Sequence, residues 1–277
     1  MSHLLCPNLQ MSSVGACIFS IVVTQNQAIL EAISFFQDQG ESKGLYRMID
    51  QHDPGGILAL FHGPPGTGKT YSAQAIAFEL DKPLAMVRYY QLINKWYGQS
   101  EKNMAQCFND AKEKDYVLLF DEADAMINAR GIGRRTAADE TEHRLRNIFL
   151  QEIEGFPGTV ILTTNLIESL DPALERRLNL RLEFHLPDAR ARELLWKKIL
   201  KKAPLSPEIN ISALAQNYKL SGGHIKNATL NSLRKFAYLR KTTPKALITQ
   251  KILEQSARRE LDSVWTETKN KIVGFST

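Results

Sequence analysis

The sequence predicts an α/β fold, a doubly wound parallel-sheet domain followed by a small all-α domain, on three observations. Between residues 57 and 185, short apolar runs alternate with stretches of helical character. The runs are nearly uniform in their apolarity rather than alternating, as expected of parallel strands covered on both faces. After Pro187 the strand-like runs stop, and the remainder of the chain reads as helix broken by turn residues.

Taken in order, Ile57-Leu-Ala-Leu-Phe61 is the first strand, followed by Gly63-Pro-Pro-Gly-Thr-Gly-Lys-Thr70 and a helical run to Leu80. Leu84 to Arg88 is the second strand, and Ser100 to Lys112 a helix. Tyr116-Val-Leu-Leu-Phe120 is the third strand, Asp139 to Glu154 a helix, and Thr159-Val-Ile-Leu-Thr163 the fourth strand. Arg181 to His185 is a weaker strand suited to a sheet edge. This βα alternation argues for a doubly wound sheet. Ala189 to Lys202, Ile211 to Tyr218, Gly222 to Lys241 and Thr243 to Leu261 read as helices. The expected organisation is an extension over 1–20, an α/β sheet domain over 21–187, a small helical domain over 188–262 and a tail over 263–277. Residues 1–20 and the segment after Leu261 carry weak signals, and Gly40 to Pro54 reads as a connector.

Composition narrows the class. The 277 residues are 43% hydrophobic and 23% charged, a balance that excludes disorder, and no glycine or proline period suggests a fibre. Val14 to Val23 is about half a membrane span and has no Lys or Arg before it, so neither a spanning helix nor a secretory signal is expected. Cys6, Cys17 and Cys107 are odd in number and lack metal-ligand spacing, which fits a reducing, cytoplasmic setting without membrane attachment. The net charge of +5 is split unevenly: residues 1–189 hold 17 Lys+Arg against 24 Asp+Glu, and residues 190–277 hold 18 against 6. The basic part reads as a solvated helical face, as a lid docking on an acidic neighbour, or as a nucleic-acid surface.

The chemistry concentrates at strand ends. Gly63 to Thr70 matches G-x-x-x-x-G-K-[ST] between a strand and a helix. Glycines let backbone N–H groups and a helix N-terminus face phosphate oxygens, Lys69 reaches the β- and γ-phosphates, and the Thr70 hydroxyl ligates Mg²⁺. Val117-Leu-Leu-Phe-Asp-Glu-Ala-Asp124 ends a buried strand in adjacent carboxylates. Asp121 suits the Mg²⁺ shell and Glu122 suits a general base toward water. Asn165, closing Thr163-Thr-Asn165, reads either as a γ-phosphate or water ligand or as a turn cap. Arg176 and Arg177 follow Leu170-Asp-Pro-Ala-Leu-Glu175. They read as donors to a phosphoryl transition state, or as ordinary helix-end cations. No Asn-Lys-x-Asp guanine-reading motif and no His-Glu-x-x-His zinc-protease motif is present.

In order and spacing these elements resemble the AAA+ ATPases, and among them the ring-forming AAA group, over roughly residues 20–262. Gly63–Thr70 corresponds to Walker A, Val117–Asp124 to Walker B, Asn165 to sensor 1 and Asp171–Arg177 to the arginine-finger segment. The resemblance implies ATP with Mg²⁺ held by Pro65, Gly66, Thr67, Gly68, Lys69, Thr70, Tyr71 and Asp121, with Gly223 and His224 near the adenine and Lys226 as sensor 2. Arg177 is implied first, and Arg176 second, as the finger acting on the next subunit's ATP. Lys95, Trp96, Tyr97 and Gly98 look like the pore loop that grips an extended polypeptide. Arg130-Gly-Ile-Gly-Arg-Arg135 reads as a second channel loop or as a solvated surface loop. The expected function is Mg-dependent ATP hydrolysis by a homo-oligomeric ring, six copies by family expectation, that remodels, unfolds or disassembles a protein substrate. The alternatives are a nucleic-acid-dependent ATPase, favoured by the basic last third, and a scaffold that ATP merely glues together.

Overall fold

A computed structural model describes residues 56–88, 99–127, 137–165, 170–244 and 246–273, together with positions 31, 34 and 92. The extension over 1–20, the connector Gly40–Pro54, the aromatic turn Lys95–Gly98 and the basic stretch Arg130–Arg135 lie outside the described residues.

Among the described residues, five strands form one parallel sheet: β1 (Ile57–His62), β2 (Leu84–Arg88), β3 (Val117–Asp121), β4 (Thr159–Thr164) and β5 (Leu180–Glu183). Their order is β2-β3-β4-β1-β5. The flanking helices are α1 (Lys69–Glu79), α2 (Gln99–Glu113), α3 (Asp124–Ile127), α4 (Ala137–Gly155) and α5 (Pro172–Glu175). The α/β class is therefore as expected. The register pairs Leu60 with Leu162 and Phe120 with Leu162, so Leu58, Leu60, Leu118, Phe120, Val160 and Leu162 share one face and are buried there. Phe108 of α2 and Phe149 of α4 pack with Phe120 at centroid separations of 5.9 and 5.0 Å and with each other at 6.0 Å, and Phe156 meets Phe108 edge-on at 5.3 Å. Such offset and edge-on contacts are the favourable aromatic geometries. Phe120 stands directly before Asp121 at the end of β3.

Two helices end in the same way. Asp81 and Asp115 take positive φ of 53° and 52°, and the amides of Lys82 and Tyr116 donate back to Ala77 and Ala111. This closes the helix with aspartate where glycine is usual, and Lys82 pairs with Asp115 at 2.7 Å. It also explains a shift of one residue: Tyr116, expected in the third strand, spends its N–H on the α2 end, so β3 starts at Val117. The edge strand ends at Glu183 rather than His185, although the Phe184 amide still donates to the His62 carbonyl at 2.7 Å.

By contact, the described residues from Gly56 to Pro64 and from Lys69 to Phe184 belong to one compact unit, and Pro65–Gly68 with those from His185 to Val273 belong to a second. The second unit contains α6 (Ala189–Ile199), a 3₁₀ turn at Leu200–Lys202, α7 (Ile211–Asn217), α8 (Gly222–Thr242) and α9 (Gln250–Val273). Asp188, Asn210 and Ser221 accept from the Ala191, Ala213 and His224 amides, satisfying donors that a helix start leaves orphaned. Trp196 is fully buried. Arg192 is also buried on α6 and donates to the Ala215 and Pro187 carbonyls at 2.7 and 2.5 Å. The last helix differs from expectation at both ends. Thr243, Pro244 and residues 246–249 are not helical, because Pro244 lacks an N–H and restricts Thr243. Buried Ile248 instead bridges Leu205. The helix then runs to Val273, past the fading of the signal at Leu261.

Candidate functional site

The phosphate-type loop joins the end of β1 to α1. Gly63, Gly66 and Gly68 have φ of 136°, 73° and 108°, a region side chains avoid. A Cβ on Gly63 would also sit 2.1 Å from the Phe184 carbonyl oxygen. The loop's shape thus depends on its glycines. Thr67 and Lys69 are buried, whereas Pro65 and Gly66 are exposed and Tyr71 is half-buried. Within the second unit, the Gly223 amide donates to the Gly66 carbonyl at 3.0 Å. There His224 Nδ1 lies 2.7 Å from Ser221 Oγ and Lys226 is half-buried.

Lys69 donates to the Gly63 and Pro64 carbonyls at 2.6 and 2.8 Å and to Asn165 Oδ1 at 2.9 Å. An ammonium has three donors, and here all are taken. Burial pushes the Lys69 ammonium down to about 8, while Asp121 and Asp124 pull it up. The pH consequence has a definite sign. Phosphate charge favours the ammonium, so a bound nucleotide raises this pKa. Affinity should therefore be flat below about pH 8 and fall as pH rises through it, with a proton taken up on binding. Titration calorimetry in buffers of different ionisation enthalpy measures that uptake, and its absence above pH 8 would show that Lys69 does not meet phosphate.

Beside Lys69, the Thr70 hydroxyl donates to Asp121 Oδ1 at 3.1 Å. Two hard oxygen groups side by side fit Mg²⁺, which takes one or two carboxylates, keeps waters and completes its shell with phosphate oxygens. Glu122 is exposed, follows Asp121 off the end of β3 and has a φ of 56°. Lys69, Thr70, Asp121, Glu122 and Asn165 thus gather at the carboxyl ends of β1, β3 and β4, where open α/β sheets bind ligands.

The two arginines directly follow α5. Asp171 caps α5 by accepting from the Ala173 amide at 2.8 Å, with Pro172 in the first turn. Arg177 donates to the Ala173 carbonyl at 2.5 Å and pairs with Glu154 of α4. Arg176 is exposed.

Sequence reasoning passed over three residues. The Thr163 hydroxyl donates to Asp121 Oδ1 at 2.6 Å and accepts from the Glu122 amide at 3.2 Å. The Thr164 hydroxyl donates to Asp124, and Glu154 holds Arg177. The available signal for the threonines was their position: two hydroxyls end a strand that is otherwise apolar from Val160.

Residues 59–186 match the family model of the ATPase family associated with various cellular activities (AAA). The chain is 34% identical over 227 residues to a 26S proteasome regulatory subunit 6B homolog of Aspergillus niger, covering 77% of this chain and 52% of that protein. The corresponding homolog of Dictyostelium discoideum is 33% identical over 207 residues, 70% of this chain and 51% of its own. Protein CdcH of Halobacterium salinarum is 32% identical over 204 residues, 69% of this chain and 27% of its own. The chain therefore spans about half the length of the first two relatives and about a quarter of the third. With the parallel sheet, the glycine loop and the carboxylate pair in family order along the matched segment, the chain belongs to the AAA+ ATPase superfamily.

Proposed function

We propose that this chain hydrolyses Mg·ATP as a subunit of a homo-oligomeric ring and uses the energy to remodel, unfold or disassemble a protein substrate. The observation that carries the reading is the cluster in which Lys69 meets Asn165 and Thr70 meets Asp121, with Glu122 exposed beside them. In this reading Lys69 and the loop amides bind the phosphates. Thr70 and Asp121 hold Mg²⁺, which neutralises phosphate charge when bound. Glu122 accepts the proton of the attacking water, and Asn165 orients the γ-phosphate or that water. Gly223, His224 and Lys226 are assigned to the adenine and sensor 2 side, and Arg177 or Arg176 to the neighbouring copy's site. Lys95, Trp96, Tyr97 and Gly98 are assigned to grip substrate. The names of the proteasomal relatives support action on proteins and a multi-subunit assembly, and a six-membered cytoplasmic ring is the form proposed.

The basic residues 190–277 favour one second reading, a nucleic-acid-dependent ATPase. The two are separated by measuring phosphate release against protein concentration, then adding an unfolded polypeptide, single-stranded DNA or duplex DNA. The proposal expects specific activity to rise with concentration and polypeptide to stimulate it. Full activity in a monomer at high dilution would overturn the ring. Salt-sensitive stimulation by DNA alone would move the function to the second reading.

A further inference from the structure

We infer that Thr163 is a positioning residue of the hydrolytic site, setting Asp121 for Mg²⁺ and the Glu122 backbone for water activation; this rests on the Mg·ATP reading above. Thr163 is 2% exposed, and a hydroxyl buried that deeply costs free energy unless it finds partners. It finds them on the two carboxylate-bearing residues. Its proton goes to Asp121 Oδ1 at 2.6 Å, and its oxygen accepts from the Glu122 amide at 3.2 Å. The Thr163 carbonyl accepts from the Ala123 amide at 2.9 Å. One residue of β4 therefore grips three successive residues, the last of β3 and the first two of the turn that leaves it.

The proton count assigns the roles. A threonine hydroxyl has a single proton and spare lone pairs, so donation to Asp121 is compatible with acceptance from Glu122. Thr70 donates to the same Asp121 Oδ1 at 3.1 Å. With both hydroxyl protons on Oδ1, the second carboxylate oxygen and the Thr70 lone pairs are left for a cation. Glu122 meanwhile holds a φ of 56°, a conformation that non-glycine residues keep only where surrounding contacts impose it. The flanking bonds of Glu122 and Ala123 to Thr163 are those contacts. The neighbouring Thr164, directed to the opposite face of the strand, ties down Asp124 in the same way.

The test uses Thr163→Val, which keeps volume and branching but removes both bonds, and Thr163→Ser, which keeps the hydroxyl. The readout is the affinity of the full chain for fluorescently labelled ATP with Mg²⁺ divided by that in chelator, alongside kcat and KM for unlabelled ATP. A packing role moves both affinities together and leaves their ratio unchanged. Outer-shell partners of metal ligands typically matter by about 10–100-fold, so Thr163→Val is expected to lower the ratio and kcat by about tenfold or more. Thr163→Ser should keep both within about threefold of wild type. Should the valine variant not fold, Thr163→Ala against Thr163→Ser decides the same question. A wild-type ratio and kcat in the valine or alanine variant, or a serine variant as impaired as valine, overturns the inference while the Mg·ATP reading stands. A wild-type chain whose ATP affinity gains nothing from Mg²⁺ removes that reading and the inference together.

Discussion

Glu122→Gln is expected to bind ATP within a few-fold of the wild-type chain while releasing phosphate about 10²–10⁴-fold more slowly, the usual contribution of a positioned general base. The two effects separate because the binding groups do not depend on the Glu122 side chain. Lys69 is held by Gly63, Pro64 and Asn165, and Asp121 by Thr70 and Thr163. What Glu122 gives this network is its backbone N–H, donated to Thr163, and glutamine gives the same. The amide is nearly isosteric with the carboxylate but cannot take a proton from water. Labelled-ATP binding and steady-state phosphate release on the same preparation check the pair of outcomes. Turnover near the wild-type rate would remove Glu122 from the chemistry. Loss of binding would mean that the side chain supports the turn itself, whose positive φ at this residue already departs from ordinary backbone.

Most of the sheet was legible because β1 to β4 are short, mostly apolar runs, and the phosphate loop because its glycines and Lys69 sit at fixed spacing. What was not legible depends on partners far apart in sequence. Thr163 acts on Asp121 across 42 positions, and Arg177 meets Glu154 across 23. A hydroxyl at a strand end has many local uses, so spacing alone does not nominate Thr163, whereas pairing β3 with β4 in register brings it to Asp121. The break before α9 has the opposite character. Pro244 was visible, but the apolar run Ala246-Leu-Ile248 masked its effect. Ile248 is buried through a bridge to Leu205 rather than through a helical face, and Leu247 stays 43% exposed.

Arg177→Ala is expected to lower hydrolysis by about 10³–10⁵-fold, the range for an arginine that reaches a phosphoryl transition state, if Arg177 is the finger. Its pairing within the chain bears directly on this. Glu154 and Arg177 keep side-chain exposures of 56% and 29%, and an exposed carboxylate–arginine pair is worth only about 0–1 kcal/mol. Such a pair orients the guanidinium in an isolated chain yet yields readily to the concentrated charge of a triphosphate. Arg176, exposed and one residue earlier, is the competing choice, so both alanine variants must be measured. A purely structural role for Arg177 predicts a lower melting temperature and no help from mixing. A finger predicts an unchanged melting temperature, and recovery of turnover when Arg177→Ala chains are mixed with Glu122→Gln chains. In such mixtures some seams unite an intact Glu122 from one copy with an intact arginine from the other. Recovery only with Arg176→Ala chains would transfer the role to Arg176. No recovery with either, over all mixing ratios, would mean that each copy completes its own site and that no arginine crosses between copies.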